Sequence, residues 1–307
     1  MSTFDDAWIL SHRPPREIRD PFIPYEFFVE EECNRYGVVD PVATIFLTNR
    51  ECPFRCLMCD LWRNTLTTTV PAGAIPAQID HALSRLATAR QVKLYNSGSF
   101  FDPRAIPTAD HAAIAARVQG FERVIVENHP SFTGEACLGF RDMLHGSFEV
   151  AMGLETVHPE VLAGLNKRMT LDQFSAAAGY LRDHGIDLRV FILVQPPLMP
   201  PAEALMWAER SLDLAMECGA TAATLIPTRG GNGAMEALSF TPPALQVLES
   251  AMEYGLRLRA GRVFADLWGV REGCRACHAA RIARLQEMNL RQVVLERVGC
   301  PACGGAS

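Results

Sequence analysis

Six short apolar runs, rich in β-branched residues and each followed by a segment of helical periodicity, constrain this chain more than any other feature. They lie at 42–47, 92–95, 124–126, 150–154, 188–194 and 222–226. Uninterrupted apolar runs of this length read as strands buried on both faces, the habit of parallel sheets covered by helices. Between them, Ile79, Leu83 and Leu86 share one face of a helix predicted over 76–89, with Pro76 suited to its first turn. Thr170-Leu-Asp-Gln173 has the form of a capping box, with Met169 and Phe174 placed as a hydrophobic staple and Gly185 as the stop. A third helix is expected over 202–218, ending at Gly219. Strand–helix units in this number predict an α/β fold, a partial (β/α)6 TIM-like barrel over 42–240. Residues 1–41, rich in proline and charge, form an N-terminal extension, and 241–307 form a small Cys-rich C-terminal module.

In parallel α/β barrels reactive groups gather at the C-terminal ends of the strands. Directly after the first run come Cys52, Cys56 and Cys59, spaced C-x3-C-x2-C. Three thiolates on one short loop are soft ligands for three irons of a [4Fe–4S] cluster, leaving the fourth iron open to a cofactor or substrate. An electron-transfer ferredoxin needs a fourth cysteine nearby, and the next one is Cys137. The competing reading is a three-ligand zinc site or a set of core cysteines, although zinc loops usually pair C-x2-C units.

This spacing is the signature of the radical S-adenosylmethionine superfamily, which the chain resembles over about 42–227, within its Elongator-catalytic-subunit, MiaB and NifB-like group. The resemblance implies a [4Fe–4S] cluster and S-adenosylmethionine as cofactors, reductive cleavage of the latter to a 5′-deoxyadenosyl radical, and an electron donor such as flavodoxin or ferredoxin. Asn96-Ser97-Gly98-Ser99 stands where the superfamily carries a Gly-Gly-Glu-like turn against the methionine amino group, and departs from that pattern. Glu127-Asn128-His129 follows the third strand, with His129 a proton donor, a substrate contact or a residue satisfied by a carbonyl. Gly153-Leu-Glu155-Thr resembles a segment whose acidic residue contacts the cofactor, making Glu155 the ribose candidate, since a carboxylate accepts from two vicinal hydroxyls. Met58 takes the position of an aromatic residue near adenine.

Three further stretches, Asn166-Lys-Arg-Met-Thr170, Phe191-Ile-Leu-Val-Gln195-Pro-Pro197 and Ile226-Pro-Thr-Arg229-Gly-Gly-Asn-Gly233, are similar to the radical enzymes that form archaeosine in transfer RNA. Lys167 and Arg168 then face cofactor or substrate, or form a solvated turn. Gln195 and Arg229 join the cofactor candidates, with Arg229 and the glycines after it able to present donors to an anion or to form a plain turn.

Near the end of the chain, Cys274-x2-Cys277 and Cys300-x2-Cys303 suit either a four-thiolate zinc site or a second iron–sulfur cluster. Cys33, Cys137 and Cys218 are expected to pack in apolar surroundings. From 255 to 307 nine arginines face Asp266, Glu272, Glu287 and Glu296, a local charge of about +5 within a chain of net charge −6. That stretch either meets a polyanion or is a solvated helix face. The 307 residues, 49% hydrophobic, contain no apolar stretch of membrane-spanning length and no signal-peptide order at the N-terminus, so a cytoplasmic enzyme is expected. The leading substrate is a nucleobase in RNA; the alternatives are a small-molecule or peptide modifier with an auxiliary cluster, and a binding protein that has lost radical chemistry.

Overall fold

The computed structural model describes residues 4–270 and 273–303. Its eight-stranded sheet runs in sequence order, β1 (Glu26–Cys33), β2 (Val39–Phe46), β3 (Gln91–Tyr95), β4 (Arg123–Glu127), β5 (Ser147–Glu155), β6 (Asp187–Val194), β7 (Ala222–Pro227) and β8 (Arg262–Ala265). Strands β2 to β8 are parallel, and β1 pairs antiparallel with β2. The sheet is a curled half-barrel with helices on its outer face, as expected, and it recruits one strand from each flanking segment in addition to the six foreseen.

The two faces of the strands differ in kind. Ile45, Val92, Leu94, Val124, Val126, Val150, Met152, Val190, Ile192, Leu225 and Val263 point outward and merge with the helices in one apolar core. The alternate positions point into the barrel and are charged at its floor. Lys93 Nζ lies 2.8 Å from Glu30 and 2.7 Å from Glu32; Arg189 reaches Glu32 at 2.5 Å and Glu149 at 2.6 Å. Arg123 and Arg262 complete the ring on Glu149 at 2.5 and 3.1 Å. Burial on both faces is therefore correct, but the inner face is held by ion pairs where apolar side chains were expected. The guanidinium of Arg262 also crosses from β8 to the carbonyl of Cys33 on β1, 3.2 Å away, so the network ties together strands that do not pair.

Local sequence explains the helices that position the mouth. Both bonds of the capping box form, Gln173 N donating to Thr170 Oγ1 at 3.2 Å and Thr170 N to Gln173 Oε1 at 3.0 Å. The resulting helix, Leu171–Asp183, ends before Gly185 at φ +68°, a conformation that suits glycine. Leu245–Leu258 and His278–Arg291 cover the β8 end of the sheet. Among the described residues no helix is long and apolar enough to cross a membrane.

Candidate functional site

The three cysteines sit on the loop that leaves β2 at the barrel mouth, and their backbone is anchored from several directions. Leu57 N donates to Leu165 O at 2.9 Å, Asn166 Nδ2 to Arg55 O at 2.8 Å, and Asn232 Nδ2 to Leu57 O at 2.8 Å and Cys59 O at 3.3 Å. The N-terminal extension straps the loop from outside. Arg13 and Arg16 pair with Glu51 at 2.6 and 2.5 Å, Arg16 donates to the Trp62 carbonyl at 2.9 Å, and Ile9 packs with Leu57 and Ala234. A β-carbon on Gly233 would collide with the carbonyl of His12, so the strap's fit requires glycine there. The proline and charge of residues 1–41 marked this segment only as an extension, and its partner Glu51 carries no recognisable signal.

Burial pushes the thiols of Cys52, Cys56 and Cys59 up to about 12, with the charge of Lys167 pulling the other way at Cys52 and Cys56. Thiols in such a place become ligands when a cation replaces their protons. Against them lies the turn that follows β3. A β-carbon on Gly98 would stand 3.2 Å from Cys52 Cβ, tighter than an ordinary contact, so glycine lets the turn close on the cysteine loop. Glu127 holds this turn in place, accepting from Asn96 N at 2.5 Å and Gly98 N at 3.3 Å. Burial raises its carboxyl to about 7, although the amides of residues 96–98 oppose that rise. The Asn96 side chain is 0% exposed, yet neither its Oδ1 nor its Nδ2 has a partner among the described residues. A buried, unsatisfied amide beside the cysteine loop suits a ligand that brings its own donors and acceptors. Tyr25, from the extension, donates to or accepts from Ser97 Oγ at 2.9 Å and was not foreseen in the sequence.

On the far side of the mouth β5 breaks register between Gly153 and Glu155, and Glu155 turns to φ +64°. The bulge aims its carboxylate at Lys167 Nζ, 2.5 Å away, with both residues nearly closed off from solvent. Burial works against charge on Lys167, but Glu155 and the thiols more than restore it, and the ammonium is raised above its ordinary value. Lys167 is thus a buried partner in the site and not a solvated turn. His129 accepts from Ser131 N at its Nδ1, leaving Nε2–H to face Lys167 O at 3.2 Å, and stacks on Phe54 at 3.9 Å between ring centroids. Burial, with the Lys167 charge, drops it to about 3. Of its three readings, the structure supports the residue satisfied by a carbonyl.

The ion pair rests directly over Gly153, where a β-carbon would collide with the Glu155 carboxylate and stand 2.6 Å from Lys167 Nζ. We expect Lys167→Met, which leaves the buried Glu155 carboxylate without its partner, to cost about 3 kcal/mol, the scale of an uncompensated buried charge. Urea denaturation at neutral pH measures this; a loss below about 1 kcal/mol, within the range of ordinary surface changes, would mean that the pair is dispensable.

The other sequence candidates have partners of their own. Met58 packs with Val161, Leu165 and Met199. Gln195 Nε2 donates to Thr241 O at 2.9 Å, and Arg229 Nη1 to Trp268 O at 2.9 Å, so both side chains are turned toward the C-terminal segment. The amides of Gly231 and Gly233 already donate to the carboxylate of Glu236 at 2.5 and 2.7 Å, which fills the anion position expected there. Cys33 and Cys137 are buried as foreseen, while Cys218 is half-buried with its sulfur 3.6 Å from Ser175 Oγ.

The sulfurs of Cys274, Cys277, Cys300 and Cys303 lie within 4.8 Å of one another, with Cys274 and Cys300 3.9 Å apart and Cys277 and Cys303 3.7 Å apart. Around them, the arginine-rich stretch is largely neutralised. Arg257, Arg284 and Arg297 pair with Glu253, Arg281 with Glu249 and Arg291 with Glu287, while Arg262 belongs to the barrel floor. Glu249 and Glu253 precede the stretch in sequence, which is why a count begun at 255 shows an excess of charge that the fold cancels. Arg271 lies outside the described residues.

No protein-family model matches the chain. It is 23% identical over 280 residues to an uncharacterized protein of Methanocaldococcus jannaschii, covering 84% of this chain and 77% of that one. It is 25% identical over 191 residues to archaeosine synthase subunit beta of Methanosarcina acetivorans, covering 58% of this chain and 55% of the relative. The chain thus spans about half of that second protein. Among solved structures, methylornithine synthase superposes with a TM-score of 0.52 at 13% identity, over 79% of this chain and 82% of that one. Elp3 of Methanocaldococcus infernus gives 0.51 at 13% identity, over 81% and 64%. Coproporphyrinogen III oxidase of Escherichia coli, a radical SAM enzyme, gives 0.50 at 14% identity, over 75% and 55%. At these identities the likeness is one of fold, and the chain shares the fold of a radical SAM enzyme.

Proposed function

We propose that the protein is a radical S-adenosylmethionine enzyme that acts on a nucleobase in RNA. The observation that carries the chemistry is the cysteine triad, held by the strap and by Asn166 and Asn232 at the mouth of a barrel of this fold. The residues present fit the group: three half-buried soft donors on one loop, a glycine that lets the neighbouring turn close on Cys52, and an unsatisfied buried amide at Asn96 in that same turn. When bound, the cluster would supply an electron that splits the sulfonium of S-adenosylmethionine into methionine and a 5′-deoxyadenosyl radical, which takes hydrogen from the substrate.

Cys52, Cys56 and Cys59 would hold three irons and leave one for the methionine end of the cofactor. Asn96, Ser97 and Gly98 would receive its amino group, with Glu127 as the positioning residue that fixes their turn. Glu155 would hold the ribose, Lys167 engaging one oxygen of its carboxylate and leaving the other available. Met58 would border adenine. Gln195 and Arg229 receive no cofactor role, since their donors are committed elsewhere. A flavodoxin- or ferredoxin-type protein would deliver the electron. The RNA substrate is supported by the relative named archaeosine synthase subunit beta.

For the C-terminal module the reading is one structural zinc. Four sulfurs each about 2.3 Å from a single ion stand about 3.8 Å apart in a tetrahedron, close to the spacings found. Thiolates on separate irons of a cubane must stand wider.

The test of the radical reading is anaerobic reconstitution with iron and sulfide, followed by dithionite and S-adenosylmethionine. We expect 5′-deoxyadenosine and methionine in equal amounts. A loaded cluster that leaves the cofactor intact would overturn the proposal.

A further inference from the structure

With the C-terminal arginines mostly paired, positive charge must be sought elsewhere, and it is concentrated beside the cysteine loop. A cavity of about 380 Å³ opens there, lined by Arg50, Glu51, Pro53, Arg55, Thr67 and Arg104. Its one lining carboxylate, Glu51, is already shared by Arg13 at 2.6 Å, Arg16 at 2.5 Å and Arg55 at 3.1 Å. Arg55 is further engaged with the carbonyls of Cys52 and Phe54, which makes it a brace for the loop. Among the described residues the guanidinium of Arg104 has only the 3.4 Å contact with Asp102, and its side chain is half-exposed. Arg50 is half-buried, and its guanidinium has no ion-pair or hydrogen-bond partner among the described residues. Five guanidiniums thus meet two carboxylates, and among the described residues the guanidinium of Arg50 and the terminal nitrogens of Arg104, both lining the cavity, are left without a partner.

Planar guanidinium forks match the paired oxygens of a phosphate, and a cavity of this size admits a nucleotide-sized group. We infer that this cavity binds a phosphate of the substrate through Arg50 and Arg104, anchoring it beside the loop on which the reaction takes place. The inference rests on the radical reading for its notion of a reaction centre, and deepens it by locating where the substrate is held. The phosphate belongs either to an RNA strand or to a phosphorylated small molecule.

Binding of labelled unfractionated transfer RNA to the reconstituted protein, and separately of adenosine monophosphate, followed against potassium chloride concentration, tests this. Each phosphate contact contributes about 0.7–0.9 to the slope of log affinity on log salt. For the Arg50→Ala/Arg104→Ala variant we expect at least about a tenfold loss of affinity near 0.1 M salt. With transfer RNA its slope should be shallower by about 0.7–0.9, one such phosphate. Arg50→Lys/Arg104→Lys should keep most of the slope, and iron content and melting temperature of each sample control for folding. Arg259→Ala/Arg275→Ala, in the C-terminal stretch, should bind like the parent. Loss confined to transfer RNA assigns the phosphate to RNA; loss confined to the mononucleotide assigns it to a small molecule. Parent-like binding of both ligands by the rim variant, binding of neither by the parent, or loss only in the C-terminal variant would overturn the inference. Formation of 5′-deoxyadenosine without RNA, measured on the parent preparation, reports on the radical reading separately, so either idea can fail while the other stands.

Discussion

Replacing Cys52, Cys56 and Cys59 together by alanine should reduce 5′-deoxyadenosine formation to background and cluster iron to near zero, while about one zinc per chain remains. The three thiols share one loop, so their loss removes every protein ligand of the cluster at once. The four C-terminal cysteines form a separate group, their sulfurs within 4.8 Å of one another. Iron, sulfide and zinc analysis of the purified variant checks both parts. Undiminished product would sink the triad as the cluster site. Residual iron with matching sulfide would place a second cluster among Cys274, Cys277, Cys300 and Cys303.

A comparably large effect is expected far from the mouth, at Arg189→Met. This guanidinium spans Glu32 and Glu149, the latter 0% exposed, and its removal leaves both carboxylates short of charge. Breaking such a buried pair costs about 3–5 kcal/mol, a large share of the roughly 5–15 kcal/mol that holds a typical domain together. Urea denaturation at pH 7 should show that loss, and a change under about 1 kcal/mol would mean that neighbouring arginines compensate. The acid limb follows from the same network. Burial works against ionised Glu149, but Arg189, Arg262 and Arg123 outweigh it and hold its carboxyl near about 2. Glu32 is likewise held well below the usual carboxylate range by Arg189 and Lys93 against its burial. Because these folded-state values lie below the unfolded ones, the stabilisation is fully present above the ordinary carboxylate value of about 4.3 and fades as pH falls toward 2. Arg189→Met should therefore lose less on acidification than the parent does.

What the sequence disclosed and what it withheld divide along one physical line. The cysteine triad was legible because its ligands are contiguous, and the capping box because its two partners are three residues apart. Outward strand faces were legible as apolar runs. The runs came out short, 124–126 for Arg123–Glu127 and 150–154 for Ser147–Glu155, because inward residues are charged and their partners lie on other strands. Strand β1 was lost for the same reason: Glu30 and Glu32 read as solvent-facing until Lys93 and Arg189, some 60 to 157 positions away, are seen to meet them. Strand β8 has only four residues, too few for a periodic signal. At the site, Glu155 and Lys167 were both named by resemblance, but their pairing depends on a bulge and a positive φ that no local pattern announces.

The strap has a consequence for how the protein matures. Residues 6–19 precede the cysteine loop in the chain, yet the carbonyl of His12 closes against Gly233, and Asn232 next to it holds the carbonyls of Leu57 and Cys59. A nascent chain that has not yet delivered this late segment lacks one wall of the cysteine loop, even with all three cysteines long since emerged. Iron loading on the ribosome would meet an unfinished cradle. The geometry leaves the cysteine loop without this wall until residues 232 and 233 have been delivered.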